Sequence, residues 1–213
     1  LIRWIQEERF GKIIEVRSSF CHSSDMDPNK PINWKRMVDI NGEYGCMGDL
    51  GIHTQHVPFR MGWKPLNVFA KLSKIVDQRP DGKGNMVPCL TWDNAVLISD
   101  VRDTDGKTFP LITRTMRLDP GATDRWSLEV YGLKASARFS TDDPNAFYYT
   151  DSWDKEQAWC RLGIGYKPMI PTITGSIFEF GFTDAMLQMW AAFICELEGK
   201  EVAFGCMRPE ETA

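Results

Sequence analysis

The chain has 213 residues, with 25 Lys and Arg against 29 Asp and Glu, a formal net charge of −4 and a sequence pI near 5.5. An acidic balance without a Lys/Arg cluster argues against a nucleic-acid partner, and no apolar run approaches the roughly 20 residues needed to span a bilayer. Hydrophobic residues at 43% and charged residues at 25% suffice for a globular domain with a real core.

The order of elements is helix, strand, helix, a run of strands, helix. Leu1, Ile2 and Ile5 share a helical face and Phe10 precedes Gly11, a helix stop. Lys12–Phe20 is a β-branched run that predicts a strand, and the polar, Pro-containing Cys21–Lys35 predicts a loop. The Gly-rich Gly42–Gly51 leads into a helix over Ile52–Met61, ended by Gly62 despite Pro58. Leu66–Val76 alternates as a strand. Further strands are expected at Leu90–Val101, Phe109–Arg117, Arg125–Tyr131, Ala135–Ser140 and Trp159–Tyr166, with a turn at Asp103–Gly106. Phe178–Glu198 predicts a long amphipathic helix stopped by Gly199.

Strands that meander with few helices between them imply an α+β fold: a large, mainly antiparallel, open-faced sheet with helices on one face. The uncovered face invites a second subunit, as a homodimer or homotetramer. The six cysteines (Cys21, Cys46, Cys89, Cys160, Cys195, Cys206) form no C-x-x-C pair and predict free thiols in a reducing, cytoplasmic setting. The helix pattern is already running at Leu1, and Pro209-Glu210-Glu211 reads as a helix start with almost no body after it. Both ends suggest a single domain taken from a longer protein.

The chemistry concentrates in Gly48-Asp49-Leu50-Gly51-Ile52-His53-Thr54-Gln55-His56, which holds two of the three histidines. If Asp49–Met61 is helical, Asp49 and His53 lie about 40° apart around the axis and share a face. A carboxylate beside an imidazole at a Gly-rich helix start suits proton transfer, the carboxylate favouring imidazolium and fixing the ring. The same residues equally suit a structural role, with Asp49 as an N-terminal cap and His53 hydrogen-bonded. A third reading is a metal site from Asp49, His53 and His56, with His22 as a further candidate.

Gly45-x-x-Gly48-Asp49-x-Gly51-x-His53 resembles the D-x-G-x-H segment of the glucose–fructose oxidoreductase / inositol dehydrogenase (Gfo/Idh/MocA) family. Gly11-Lys12-Ile13-Ile14-Glu15-Val16 resembles that family's first strand after its nucleotide-binding domain. Glu129–Phe139 resembles its hairpin, and Phe182-Thr183-Asp184-Ala185 through Gly199 its closing helix. The four pieces follow in the family's order and at its spacing. The chain departs from the pattern at His56, where an acid is usual, at Ala135 in place of a Gly, and at Glu43-Tyr44, where small residues are common.

The resemblance implies a fold like the C-terminal domain of glyceraldehyde-3-phosphate dehydrogenase, and hydride transfer between NAD or NADP and a sugar, inositol or related polyol. It implies that His53 moves the hydroxyl proton and that Asp49 orients His53 or binds a hydroxyl. Trp34, Lys35, Arg36, Tyr44 and His56 are then the expected substrate contacts. Trp153, Tyr148 and Tyr149 suit either a pocket or sheet packing.

No G-x-G-x-x-G follows a strand: Gly82-Lys83-Gly84 and Gly163-Ile164-Gly165 lack the third Gly and the helix. The family's E-K-P motif is also absent, since neither Lys64-Pro65 nor Lys167-Pro168 is preceded by Glu. Cofactor binding and a catalytic Lys are therefore expected outside this chain, which alone should be inactive. The rival expectations are a non-catalytic sugar-responsive or scaffold protein of the same fold, and the metal-dependent enzyme.

Overall fold

The run of β-branched residues near the amino terminus forms strand β1 (Ile13–Cys21), the middle of a nine-stranded sheet. The computed structural model describes residues 1–151, 153, 156–165, 170–172 and 181–211. It divides into two compact units, Leu1–Leu162 and Gly163–Ala213.

In the first unit, helix α1 (Ile2–Gln6) runs through turns to Gly11, whose φ of 65° favours glycine, and then into β1. After a long loop come a 3₁₀ turn at Trp34–Arg36 and the short helix α2 (Val38–Asn41). Helix α3 (Cys46–Arg60) starts six residues before the expected Ile52. Strands β2 (Lys64–Pro65), β3 (Phe69–Ser73), β4 (Gln78–Pro80), β5 (Met86–Pro88), β6 (Asn94–Arg102) and β7 (Thr108–Met116) follow. Strands β8 (Arg125–Gly132), β9 (Ser136–Ser140), β10 (Ala146–Thr150) and β11 (Cys160–Gly163) complete the set. The expected strand to Tyr166 stops at Gly163, and Tyr166 itself lies outside the described residues.

The sheet order is β11-β10-β9-β8-β1-β7-β6-β2, with β3 also on β6, while β4 and β5 form a separate ribbon. The pair β1–β7 is parallel, and the other registered pairs are antiparallel. The sheet is thus mixed, and the expected α+β architecture holds. Val16 lies opposite Leu111 on one side and Val130 on the other. With Val101, Phe109, Leu128, Ala137 and Phe147 these residues make one buried apolar face. Trp4 of α1, Phe10 and Trp63 fill in over that face. Each fully buried large side chain there contributes roughly 1.5–3 kcal/mol of transfer free energy. Helix α3 lies across β1, β7 and β6.

Odd and even positions part as a strand requires, so the opposite face carries Glu15, Arg17, Glu129, Tyr131 and Arg138 at one end. Phe69, Ile98 and Ile112 stand in cross-strand register at the other. Phe69 and Ile98 are 68% and 45% exposed.

The second unit contains helix α4 (Phe182–Leu197), entered through Gly181, whose N–H donates to the Asp184 carboxylate at 3.0 Å. Residues 178–180 of the expected helix lie outside the described residues, as do Lys167 and Pro168. Gln188 exchanges two 3.1 Å hydrogen bonds with the backbone of Ile170. The predicted helix start at Pro209 is a 3₁₀ turn over Pro209–Glu211. All six cysteines are free thiols, Cys21, Cys46 and Cys89 among them buried. Among the described residues, no helix is long and apolar enough to cross a membrane.

Candidate functional site

The site begins at Gly45, the residue before α3. Its backbone (φ 55°, ψ −120°) belongs to a region that L-residues rarely enter. A Cβ there would lie 2.4 Å from the backbone nitrogen of Trp92. This close approach lets Cys46 N–H donate to Trp92 O at 3.0 Å, which pins the helix start to the turn before β6. Asp49 then falls in the first turn and His53 one turn later, as expected from their spacing.

The helix is also fixed from below. Ser18 of β1 donates to Thr54 O at 2.9 Å, and Trp126 of β8 donates through its indole N–H to His53 O at 2.7 Å. The candidate residues therefore stand on backbone held by two strands, at the end of the sheet where β1 and β7 finish.

Asp49 is 13% exposed and is bound by two cations. Arg117, its side chain wholly buried at the end of β7, donates to Oδ1 at 2.5 Å. Lys35 Nζ lies 3.4 Å from Oδ2. The expected orienting contact from the Asp49 carboxylate to the His53 ring is not a hydrogen bond: the carboxylate engages Arg117 and Lys35 and acts on His53 through its charge.

His53 is held instead by stacking. Its ring lies 4.3 Å from that of Phe20, with 25° between the planes. The residue as a whole remains exposed. Burial against the sheet holds its pKa below the usual value; Asp49 and Asp124 oppose this, and Lys35 adds to it. A neutral imidazole at neutral pH has a lone pair ready to take a proton. His22 is buried, also has its pKa lowered chiefly by burial, and lies 2.9 Å from Ser24 Oγ through Nδ1.

The other expected contacts separate. Lys35 comes to Asp49, and Trp34 beside it is 48% exposed with Lys35 Nζ 5.8 Å from its ring centroid. Tyr44 is 75% exposed just before the helix, and His56 is half-buried one turn beyond His53. Arg36 requires correction. It is 1% exposed, donating to Asp25 at 2.6 Å and to Asp93, so its guanidinium serves the fold beneath the site rather than a substrate.

Tyr149 joins the core cluster, Tyr148 donates to Asp143 at 2.8 Å, and Trp153 donates to Leu133 O at 2.7 Å, which favours packing roles for all three. Among the described residues, no group of three or more His, Cys, Asp or Glu could hold a metal ion, so the metal reading of Asp49, His53 and His56 finds no geometry. A surface cavity of about 880 Å³, lined by Ile5, Phe10, Trp63 and Lys107 among others, lies at the opposite end of the sheet and includes none of the candidate residues.

Two residues of the site were missed by sequence reasoning. Phe20 carries no sequence signal beyond closing a β-branched run. Arg117 had a signal: it continues the parity of Phe109, Leu111, Thr113 and Thr115, all on the buried face.

With this fold and site in view, comparison with known proteins gives a consistent answer. The structure superimposes on an oxidoreductase domain protein from Kribbella flavida with a TM-score of 0.78 at 20% identity, covering 95% of this chain and 55% of that one. It superimposes on levoglucosan dehydrogenase in complex with NADH and levoglucosan (TM-score 0.72, 19% identity, 95% and 54% covered). An inositol dehydrogenase homologue with NAD+ from Azotobacter vinelandii gives 0.70 at 17% identity, with 92% and 50% covered.

In sequence, the chain is 28% identical over 78 residues to the levoglucosan dehydrogenase of Pseudarthrobacter phenanthrenivorans, covering 37% of this chain and 20% of that protein. No family model matches. The fold is one shared with part of each of these oxidoreductases, in agreement with the fold that the sequence motifs imply. The chain spans about half the length of these solved structures.

Proposed function

We propose that this chain is the substrate-binding and subunit-pairing part of an NAD(P)-dependent oxidoreductase acting on a sugar, inositol or related polyol. The observation that carries the reading is His53: the imidazole of an exposed residue, kept neutral by burial against the sheet, one helical turn from a carboxylate fixed by Lys35 and Arg117. Several chains of the same fold have been seen with nicotinamide cofactors, and one with levoglucosan.

In this mechanism Asp49 and Lys35 hold substrate hydroxyls, the carboxylate accepting and the ammonium donating. His53 takes the hydroxyl proton at a ring nitrogen as the carbon gives up its hydride and becomes a carbonyl. A nicotinamide, held by another part of the protein, would supply the hydride acceptor. The residues of this chain do not fit that cofactor's pyrophosphate. Gly82 and Gly84 sit in the turn between β4 and β5, and Gly163 ends β11, so neither pair opens a helix among the described residues. Cofactor binding is assigned to another part of the protein.

The uncovered sheet face is assigned to pairing of identical subunits, and the six free thiols fit a reducing, cytoplasmic setting. The test is oxidation of levoglucosan, myo-inositol and related sugars by the full-length protein with NAD+ or NADP+. Turnover that falls roughly 10²–10⁴-fold in His53→Ala is expected. Unchanged turnover in that variant removes His53 from the reaction. Failure of the wild type on every polyol tried favours the non-catalytic reading.

A further inference from the structure

We infer that Arg117 is the positioning residue of the site: one buried guanidinium sets both Asp49 and Lys35, the two groups assigned to substrate hydroxyls. The inference rests on the function proposed above and goes beyond it by naming what holds the binding groups in place.

Arg117 reaches in two directions. Its NH2 donates to Asp49 Oδ1 at 2.5 Å and its NH1 to the backbone oxygen of Lys35 at 3.1 Å. Asp49 is on α3 and Lys35 on the 3₁₀ turn before it, so the planar fork ties two separate segments to the end of β7. The Lys35 carbonyl is held from two further sides, by Thr91 Oγ1 at 2.7 Å and Asn41 Nδ2 at 3.2 Å. Three donors on one carbonyl fix the backbone from which the Lys35 ammonium reaches Asp49 Oδ2.

Arg117 is itself anchored. Its N–H donates to Asp93 O at 3.2 Å, and the Asp93 carboxylate accepts from Arg36 and from the backbone of Ile75 and Val76.

A wholly buried cation is costly to the fold, and apolar replacements of buried ion pairs are often neutral or stabilising. Stability alone is therefore a weak reason for an Arg at this position, whereas placement of a reacting constellation is a strong one. Misplacing bound groups by about 1 Å is enough to cost on the order of 10²-fold in rate. Arg117 does not touch the substrate in this account. It acts through Asp49 and Lys35.

The decisive experiment is a double-mutant cycle in the full-length protein, assayed with NAD+ and whichever of levoglucosan and myo-inositol the wild type oxidises. Arg117→Met is expected to lower kcat/KM by about 10²-fold. In an Asp49→Asn background the same change should cost clearly less, about tenfold or below, because one of the two groups through which it acts is already gone and only the Lys35 arm remains. Arg117→Lys keeps a cation near Asp49 but loses the two-way fork, and should fall between wild type and Arg117→Met.

Should Arg117→Met fail to fold, the cycle is run with Arg117→Lys, whose loss should likewise shrink in the Asp49→Asn background. Equal losses in both backgrounds, with an active wild type, overturn the inference and leave the functional reading standing. A wild type that oxidises neither these two compounds nor any of the related sugars of the functional test overturns both.

Discussion

The imidazole of His53 lies flat against the ring of Phe20, 4.3 Å away with 25° between the planes, so the proposed proton carrier is placed by an apolar neighbour from β1. Such a contact contributes about 0.5–1.5 kcal/mol beyond its buried area. It also shields one side of the imidazole from water, and burial is the largest cause of the lowered His53 pKa.

Phe20→Ala should therefore act on two quantities together. The His53 pKa rises toward 6.5, because less burial penalises the charged ring less. On the proposed function, turnover of the full-length protein falls roughly two- to tenfold as the ring loses its platform. NMR titration of the histidine ring protons reads the first and steady-state kinetics the second. A His53 pKa that does not move would show that Phe20 plays no part in setting it.

Gly45→Ala should be among the most damaging single-methyl changes in the chain. The new Cβ meets the Trp92 backbone at 2.4 Å, and the positive φ is strained for any L side chain. A loss of at least about 2 kcal/mol is expected, read as a fall of several degrees in the thermal midpoint. Because α3 starts at this point, Asp49 moves with it. Gly42→Ala, with φ 75° but nothing within 4 Å of a Cβ, should cost less.

The difference between these glycines shows what a sequence reveals and what it withholds. Spacing alone placed Asp49 and His53 on one helical face, because α-helical geometry fixes residues four apart. The alternation of β6, β7 and β8 was equally plain, since each strand buries one side only. The early start of α3 was hidden because it depends on Gly45 meeting Trp92, a contact with no local signature. The partner of Asp49 was hidden for the same reason, lying 68 residues away across the β7 register.

Arg36 was misjudged because a loop position beside Trp34 suggests exposure, whereas Asp25 and Asp93 draw its side chain inward. The ribbon of β4 and β5 went unrecognised for want of apolar alternation. It is tied down by Arg79, which donates to the carbonyls of Asp25 and Asp27 at 2.6 and 2.7 Å.

Acid should weaken the fold in two stages. The folded-state pKa values of His22 and His53 lie below 6.5, so as pH falls through 6.5 the unfolded chain takes up protons that the folded one refuses. Stability then drops until their folded values are passed, and levels off.

Asp25 behaves as a carboxylate. Burial alone would push it up, but the hydrogen bonds and charges of Lys30 and Arg36 outweigh that and hold it at about 2, against 3.8. Its contribution, roughly 2 kcal/mol, is present above pH 3.8 and lost as pH falls toward 2. Denaturant titrations between pH 7 and about pH 2 should show both stages. Arg36→Met should cost about 3–5 kcal/mol at neutral pH by taking from two buried acids the cation they share, and should make the second stage shallower.

The open face of the sheet supports the last prediction. Phe69, Ile98 and Ile112 lie side by side across β3, β6 and β7, with Phe69 and Ile98 largely exposed. If two copies pair through this face about a twofold axis, each subunit presents the same patch to its partner, and a substitution is felt twice. Ile98→Asp would bring two unpaired charges into one interface, where truncations and like charges cost several kcal/mol.

In the separate subunit the same change sits on a solvent-facing strand position and should alter stability by no more than about 1 kcal/mol. Light scattering at tens of micromolar should therefore find a multiple of the subunit mass for the wild type and a single subunit for Ile98→Asp, with similar thermal midpoints once dissociated. A wild type that runs as a single subunit at that concentration removes the pairing role from this face. A variant that stays paired moves the contact to the charged end, where Arg17 lies between Glu15 and the ring of Tyr131.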